Sequence, residues 1–271
     1  MAEYQFIQVE RDDAVAILTF NRPQVLNAFH NEAMQETLKA VAALNADDAV
    51  RVILVRGAGR AFSAGFDLKA SAERKMEDVS DWERQMQLQF DFIMQFWHSP
   101  KPTIAVVHGF CLAGAFELML ACDVTVAAEG TRFGEPEVRF GTGIVAMLLP
   151  WITGPKQAKE LLLTGDDKID AADALRMGIV NHVVPADQAL AKGLSIARQM
   201  ARAAERSVRL TKRAVNASYE AMGFSTAMRT SLDIDVLLNA GTSPEKQEFA
   251  RLRKEQGLKA AIAWRDARFR D

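Results

Sequence analysis

Two short stretches combine small residues, glycine and free backbone in ways that suit chemistry. The first is Ala61-Phe62-Ser63-Ala64-Gly65-Phe66-Asp67-Leu68, directly after an apolar run. Glycine beside small residues lets the chain turn sharply and brings its backbone close to a ligand. A plain strand-to-helix turn has the same composition. The second is Val107-His108-Gly109-Phe110-Cys111-Leu112-Ala113-Gly114-Ala115-Phe116-Glu117-Leu118, where a strand leads through a small-residue loop into a helix. N–H groups at a helix start lack intrahelical partners and sit at the positive end of the macrodipole, so they suit developing negative charge. Close helix–strand packing is the alternative. Glu117, among Phe116, Leu118 and Met119, is more than a surface ion pair, because an unpaired charge in an apolar helix is costly. Glu135-Pro136-Glu137 reads alone as a solvated turn, with Arg139 near enough to pair with either acid.

The elements that position these stretches alternate. Strands are expected at Ala14–Phe20, Arg51–Arg56, Thr103–Val107 and Asp123–Ala128, with a short fifth within Gly178–Val184. Helical spacing marks Glu32–Leu44, Ser71–Trp97 (one broken helix or two) and Gly114–Ala121. This is an α/β pattern with parallel strands and helical crossovers. After Pro185 only helices follow, broken near Ser207, Gly223, Gly241–Pro244 and Gly257. The expected division is a core over residues 1–200 and a helical region over 201–271. Apolar residues of that region (Leu237, Leu238, Phe249, Leu252, Leu258, Ile262, Trp264) need burial on the core or on another subunit.

Jointly the motifs resemble the crotonase (enoyl-CoA hydratase/isomerase) superfamily. The first stretch is similar to its A-G-x-D-[IL] turn and the second to its N/H-G-x-x-x-G-G-G-x-E-L loop. Asn21-Arg22-Pro23-Gln24-Val25-Leu26-Asn27-Ala28, Gly134-Glu135-Pro136-Glu137, Leu163-Thr164-Gly165 with Ala171–Ala174, and Gly178-Ile179-Val180-Asn181 follow in the family's order. The resemblance spans nearly the whole chain. It implies repeated ββα units, a C-terminal helical region that mediates trimers or a dimer of trimers, and an acyl-CoA thioester substrate. Coenzyme A is then part of the substrate, and no separate cofactor or metal is expected.

Carried over residue by residue, the resemblance implies an oxyanion hole from the backbone N–H groups of Phe66 and Gly114. One such donor is worth a few kcal/mol against charge developing on a thioester oxygen. It implies catalytic roles for Glu117 and Glu137, with Glu137 favoured over Glu135 by its place after proline. Two carboxyls can divide acid and base roles if their surroundings separate their pKa values. Coenzyme A contacts are implied at Gln24, Val25, Leu26, Ala64, Asp67 and Leu68, although Asp67 also suits a helix cap. His108 is expected to be a structural hydrogen-bonder. The implied reaction is hydration of a 2-enoyl-CoA to a 3-hydroxyacyl-CoA; the alternatives are double-bond isomerisation, C–C cleavage or thioester hydrolysis.

Two departures bear on the substrate. Ala113-Gly114-Ala115 stands where many hydratases carry three glycines. Gly141–Leu148 is shorter and more apolar than the family's glycine-rich segment, which leaves the acyl group open. Arg265 and Arg268 are candidates for the basic residue that reaches a coenzyme A phosphate, with Trp264 near the expected position.

Bulk properties narrow the field. The 271 residues carry a net charge of −2, so nothing global attracts nucleic acid or an anionic membrane. Arg198, Arg202, Arg206, Arg209 and Arg213 would form a basic stripe on one continuous helix, and RNA binding is the rival from another class. A break near Ser207 would divide it. No apolar run reaches the roughly 20 residues of a membrane span. Cys111 and Cys122 form no metal or disulfide pattern, the histidines form no ligand pair, and Met1–Glu10 resembles no leader. A cytoplasmic enzyme is expected.

Overall fold

The computed structural model describes residues 4–269. The first three residues of the segment read for a leader, and the last two of the helical region, lie outside the described residues. Continuous β-branched and aliphatic runs form the inner strands, because a parallel sheet is covered on both faces. The hairpin β1 (Ile7–Asp12) and β2 (Val15–Phe20) starts the main sheet, followed by helix α1 (Asn31–Ala46), β3 (Val52–Gly57), α2 (Leu68–Glu73), α3 (Val79–His98) and β4 (Thr103–Val107). Next come β5 (Phe110–Leu112), α4 (Gly114–Ala121), β6 (Val124–Ala128), β7 (Arg132–Gly134), α5 (Leu149–Ile152), α6 (Pro155–Thr164), β8 (Ile169–Asp170), α7 (Ala171–Arg176) and β9 (His182–Val184). The helices α8 (Ala189–Arg202), α9 (Glu205–Ala221), α10 (Phe224–Ala240), α11 (Pro244–Gln256) and α12 (Leu258–Ala267) complete the chain.

The main sheet has the order β1-β2-β3-β4-β6-β9, antiparallel only between β1 and β2. A second sheet, β5-β7-β8, is extended by single bridges from Ser63 to Cys111 and from Phe29 to Phe66. Each inner strand thus continues through a turn into the second sheet before a helix follows. That is the repeated ββα arrangement. Strands β5, β7 and β8 escape sequence reading because two or three residues carry no period. The half-polar edge strand β1 was also missing from the expected set, and the fifth expected strand shrinks to His182–Val184.

Alternate residues of β3 enter different cores. Val52 and Leu54 meet α8 on one face, and Ile53 and Val55 join the larger core on the other. Gly193 on α8 permits the contact, since a Cβ there would press on Val106. All eight residues of α4 are buried in the larger core, so this helix is held rigidly at the centre of the fold. The expected helix at Ser71–Trp97 is two helices, and Asp78 and Asp81 cap the second reciprocally. Of its aromatic residues, Phe92 and Phe96 are core and Trp97 stacks on Phe224 at 4.4 Å.

The arginine stripe is divided, because α8 ends at Arg202 and α9 starts at Glu205. Arg198 pairs with Asp12 and Arg209 with Glu205. Among the described residues no helix is long and apolar enough to cross a membrane.

Candidate active site

Local hydrogen bonds carry the turn after β3 to the start of α4. Asn27, in the left-handed region at φ 55°, accepts from the Arg22 N–H and donates from Nδ2 to the carbonyls of Ala58 and Ala61. Ser63 Oγ donates to the Asn27 carbonyl at 2.9 Å and accepts from the Gly65 N–H at 3.0 Å. The Leu112 N–H donates to Ser63 O at 3.2 Å. The turn therefore lies against the loop before α4. A Cβ on Gly65 would stand 2.6 Å from Ala113 Cβ and 3.3 Å from Gly114 N, and a Cβ on Gly114 would collide with the Phe66 ring. Both positions need glycine for this approach. Among the described residues, neither the Phe66 nor the Gly114 backbone N–H donates to a protein acceptor.

Glu117, one turn into α4, is buried; its Oε2 accepts from the Ala146 N–H at 2.6 Å, while Oε1 has no partner among the described residues. Gly134 ends β7 and directs Glu135-Pro136-Glu137 towards it. Glu117, Glu135 and Glu137 each bring one carboxyl oxygen within 4.8 Å of the others, close enough to share protons and also the spacing a cation would use. Burial pushes the carboxyls of Glu117 and Glu135 well above the usual range, and the neighbouring carboxylates push the same way. Glu137 is pushed up to about 7, chiefly by burial; a hydrogen bond with Glu135 and the charge of Arg265 oppose the rise. Carboxyls this close and this buried cannot all be ionised, so the cluster retains protons.

Nine of the ten residues singled out from the sequence line one cavity of about 920 Å³: Gln24, Val25, Leu26, Ala64, Phe66, Asp67, Leu68, Glu117 and Glu137. The tenth, Gly114, packs on the Phe66 ring. Asp67 is spent as a cap: it accepts from the Lys69 and Ala70 N–H groups and pairs with Arg22 at 3.0 Å, which together hold its carboxyl below the usual range despite burial. His108 Nε2 is hydrogen-bonded to the Gly59 carbonyl at 2.9 Å.

One sequence reading needs correction, and two further arginines are already paired. Arg139 pairs with Asp167 at 3.4 Å and donates to the Thr164 carbonyl, leaving both glutamates of the turn without it. Arg265 lines the cavity but is buried, bonded to Asp266 and Asp167 and stacked on Phe140. Arg268 pairs with Glu245 and does not line the cavity. Other cations at the cavity, among them Lys69, Arg74 and Arg253, have no carboxylate partner among the described residues. Reading from sequence also missed Glu135, passed over for Glu137, and Asp235 on α10. The signal for Asp235 was available: it falls on the apolar stripe Phe224, Met228, Leu232 and Val236, where a charge is out of place.

Known proteins resemble this chain over nearly its whole length. The enoyl-CoA hydratase/isomerase family model matches residues 10–255. A crotonyl-CoA hydratase of Syntrophomonas wolfei subsp. wolfei is 33% identical over 272 residues, covering 98% of each chain. The crystal structure of an enoyl-CoA hydratase/isomerase from Xanthobacter autotrophicus Py2 superposes with a TM-score of 0.97 at 48% identity, over 99% of this chain and 100% of that one. An enoyl-CoA hydratase structure from Mycobacterium smegmatis gives a TM-score of 0.89 at 28% identity, over 98% and 94%. With the family model matching residues 10–255 and a relative 33% identical over 98% of each chain, this chain belongs to the enoyl-CoA hydratase/isomerase family.

Proposed function

We propose that the protein hydrates 2-enoyl-CoA thioesters to 3-hydroxyacyl-CoA. The observation that carries this reading is the meeting of Glu117 and Glu137 in the cavity that Phe66 lines, next to the unpartnered backbone N–H groups of Phe66 and of Gly114, which packs on the Phe66 ring. The thioester oxygen accepts from the Phe66 and Gly114 N–H groups, the second at the positive end of α4. One carboxyl of the glutamate pair is ionised and takes a proton from water as the water oxygen bonds to C3. The C2=C3 π electrons move towards the thioester, and the oxyanion hole holds the resulting enolate. The protonated carboxyl then delivers its proton to C2, so water is added across the double bond with no net proton change. Deep burial keeps one carboxyl protonated at neutral pH while the other stays available as base.

Coenzyme A is part of the substrate in this reading, held by backbone at Gln24–Leu26 and Ala64–Leu68. Arg253, Arg74 and Lys69, which have no carboxylate partner among the described residues, are the cations that meet its phosphates. The active unit is a homo-oligomer, a trimer or a dimer of trimers, because the C-terminal helices leave apolar side chains exposed. Two thiols without disulfide partners suit a cytoplasmic setting.

The test follows loss of the enoyl-thioester absorbance of crotonyl-CoA, with Glu117→Gln and Glu137→Gln in parallel. Each substitution is expected to lower kcat by roughly 100-fold or more. Full activity in either variant would remove that carboxyl from the mechanism. Tight binding of crotonyl-CoA without hydration would turn the reading to isomerisation or thioester hydrolysis on the same site.

A further inference from the structure

The acyl side of the cavity contains a carboxyl that hydration does not use. Asp235 projects from α10 and is 1% exposed, yet it lines the cavity opened by Glu117 and Glu137. Its Oδ1 accepts from Asn239 Nδ2 at 2.7 Å, while Oδ2 is buried with no partner among the described residues. Lys246, the cation whose charge reaches it, makes no ion pair with it: Nζ donates to the Gly241 carbonyl at 3.0 Å and lies 5.0 Å from the Trp82 ring centroid. A buried acceptor left empty costs stability, so a purely structural aspartate has no reason to keep one.

The neighbouring walls agree with this. Gly143, in the shortened segment after Glu137, packs directly on Asp235: a Cβ there would lie 2.5 Å from Oδ1. Segment 141–148, where the chain departs from the family pattern, thus forms the wall against this carboxyl. Gln89 on α3 is also buried and lines the same cavity, and its side-chain amide has no protein hydrogen bond among the described residues. Around these two polar groups the wall is apolar, with Trp82, Met86 and Val145. An alkyl chain entering here would strip water from both polar groups and replace none of their hydrogen bonds.

We propose that Asp235 and Gln89 form a polar subsite for the acyl end of the substrate, selecting 2-enoyl-CoA thioesters whose acyl group carries a hydroxyl over plain alkyl ones. This rests on the hydratase reading and specifies its substrate class. The hydroxyl donates to Asp235 Oδ2 and can accept from the Gln89 amide, so each buried group gains the partner it lacks. Recognition by hydrogen bonding discriminates more sharply than fitting methylenes, because the wrong substrate leaves buried polar groups unpaired.

The experiment compares straight-chain 2-enoyl-CoA thioesters, butenoyl to octenoyl, each with its ω-hydroxylated counterpart. At one length or more, the hydroxylated member is expected to have kcat/KM higher by about 10-fold or more. Asp235→Leu is expected to abolish or reverse that preference, and Asp235→Asn, which still hydrogen-bonds, to keep part of it and show that the fold tolerates change here. Dissociation constants for the saturated ω-hydroxyacyl-CoA and alkyl acyl-CoA thioesters, taken by calorimetry, need no turnover. Asp235-dependent preference for the hydroxylated ligand without hydration of any enoyl-CoA would retain the subsite and overturn the hydratase reading. Alkyl substrates hydrated as well as hydroxylated ones at every length, or a preference that survives Asp235→Leu, would overturn the subsite and leave the hydratase reading standing. Failure of both thioester classes to bind would overturn both.

Discussion

At the scale of single residues, protons decide what this site can do. Glu135 is too buried and too close to two other carboxyls to ionise readily, and a hydrogen bond from it to Glu137 would hold that neighbour's carboxyl down. It is a positioning residue. A glutamine at 135 offers an N–H in place of the carboxyl proton, so Glu135→Gln is expected to keep kcat/KM within about threefold. Glu135→Leu removes the donor, and a hydrogen bond to a charged group is worth roughly 1.5–3 kcal/mol. Activity should fall about 10-fold, and the acidic limb of the pH–rate profile should move upward as Glu137 becomes harder to ionise. A limb that stays in place would show that Glu135 only fills space. Asp235 acts on stability instead. Its carboxyl is pushed from 3.8 to about 7 by burial, so between those values the folded protein keeps a proton that the unfolded chain has released. Stability from this group is full below pH 3.8 and is lost as pH rises to about 7. Asp235→Asn should flatten that decline and leave the variant more stable than the parent at pH 8 by on the order of 3 kcal/mol. Urea midpoints across pH 5 to 8 would check it, and a gap between the two proteins that does not change with pH would contradict the assignment.

At the scale of elements, the join between β5 and α4 is where backbone geometry is strained. Ala113 has φ 57° and ψ −138°, a conformation that favours glycine. It sets the first residue of α4, Gly114, whose N–H has no protein acceptor among the described residues, and the rigid burial of α4 over-determines it. Ala113→Gly should relieve the strain and raise stability by about 1 kcal/mol, read from the thermal midpoint, with the Glu117 geometry and activity retained. A lower midpoint would mean the Ala113 methyl, which packs toward Gly65, contributes more than its backbone costs. The same join marks the limit of what sequence could disclose. Val52–Gly57 and Thr103–Val107 were readable because buried parallel strands are continuously apolar. The α4 boundaries were readable because small residues precede an unbroken apolar run. The three-residue strands β5 and β7 were not, although they are what bring Ser63 beside Cys111 and Gly134 beside Leu112. Glu117 and Glu137 were named through motif order alone; no spacing along the chain reveals that β6 and β7 return the second to the first. Asp235 and Gln89 come from α10 and α3, whose packing on one another is a property of the whole core.

At the scale of the molecule, the C-terminal helices are half-finished surfaces. On α10, Ile234, Leu237 and Leu238 fall at helical spacing and are exposed by 52%, 67% and 47%, Leu238 lying beside Asp235 at Gly143. On α9 no residue is buried at all, although Leu210 and Val215 are apolar. A long helix gains most of its stability by covering an apolar face, so a surface of this kind is consistent with a second copy of the chain. Each side chain covered this way adds roughly 1.5–3 kcal/mol. Ile234→Asp with Leu237→Asp places two charges in that contact and should shift the protein to monomers in sedimentation velocity. The consequence reaches the active site, because α10 also carries Asp235 and borders Gly143. Loosening this helix should raise KM for the thioester more than it lowers kcat, since Glu117 and Glu137 are held by α4 and by the turn after β7. A parent protein that sediments as a monomer would remove the interface, and a variant that stays assembled would move it off this stripe. Monomers with unchanged KM would mean that α10 keeps its position without a partner, and that the acyl wall belongs to the single chain.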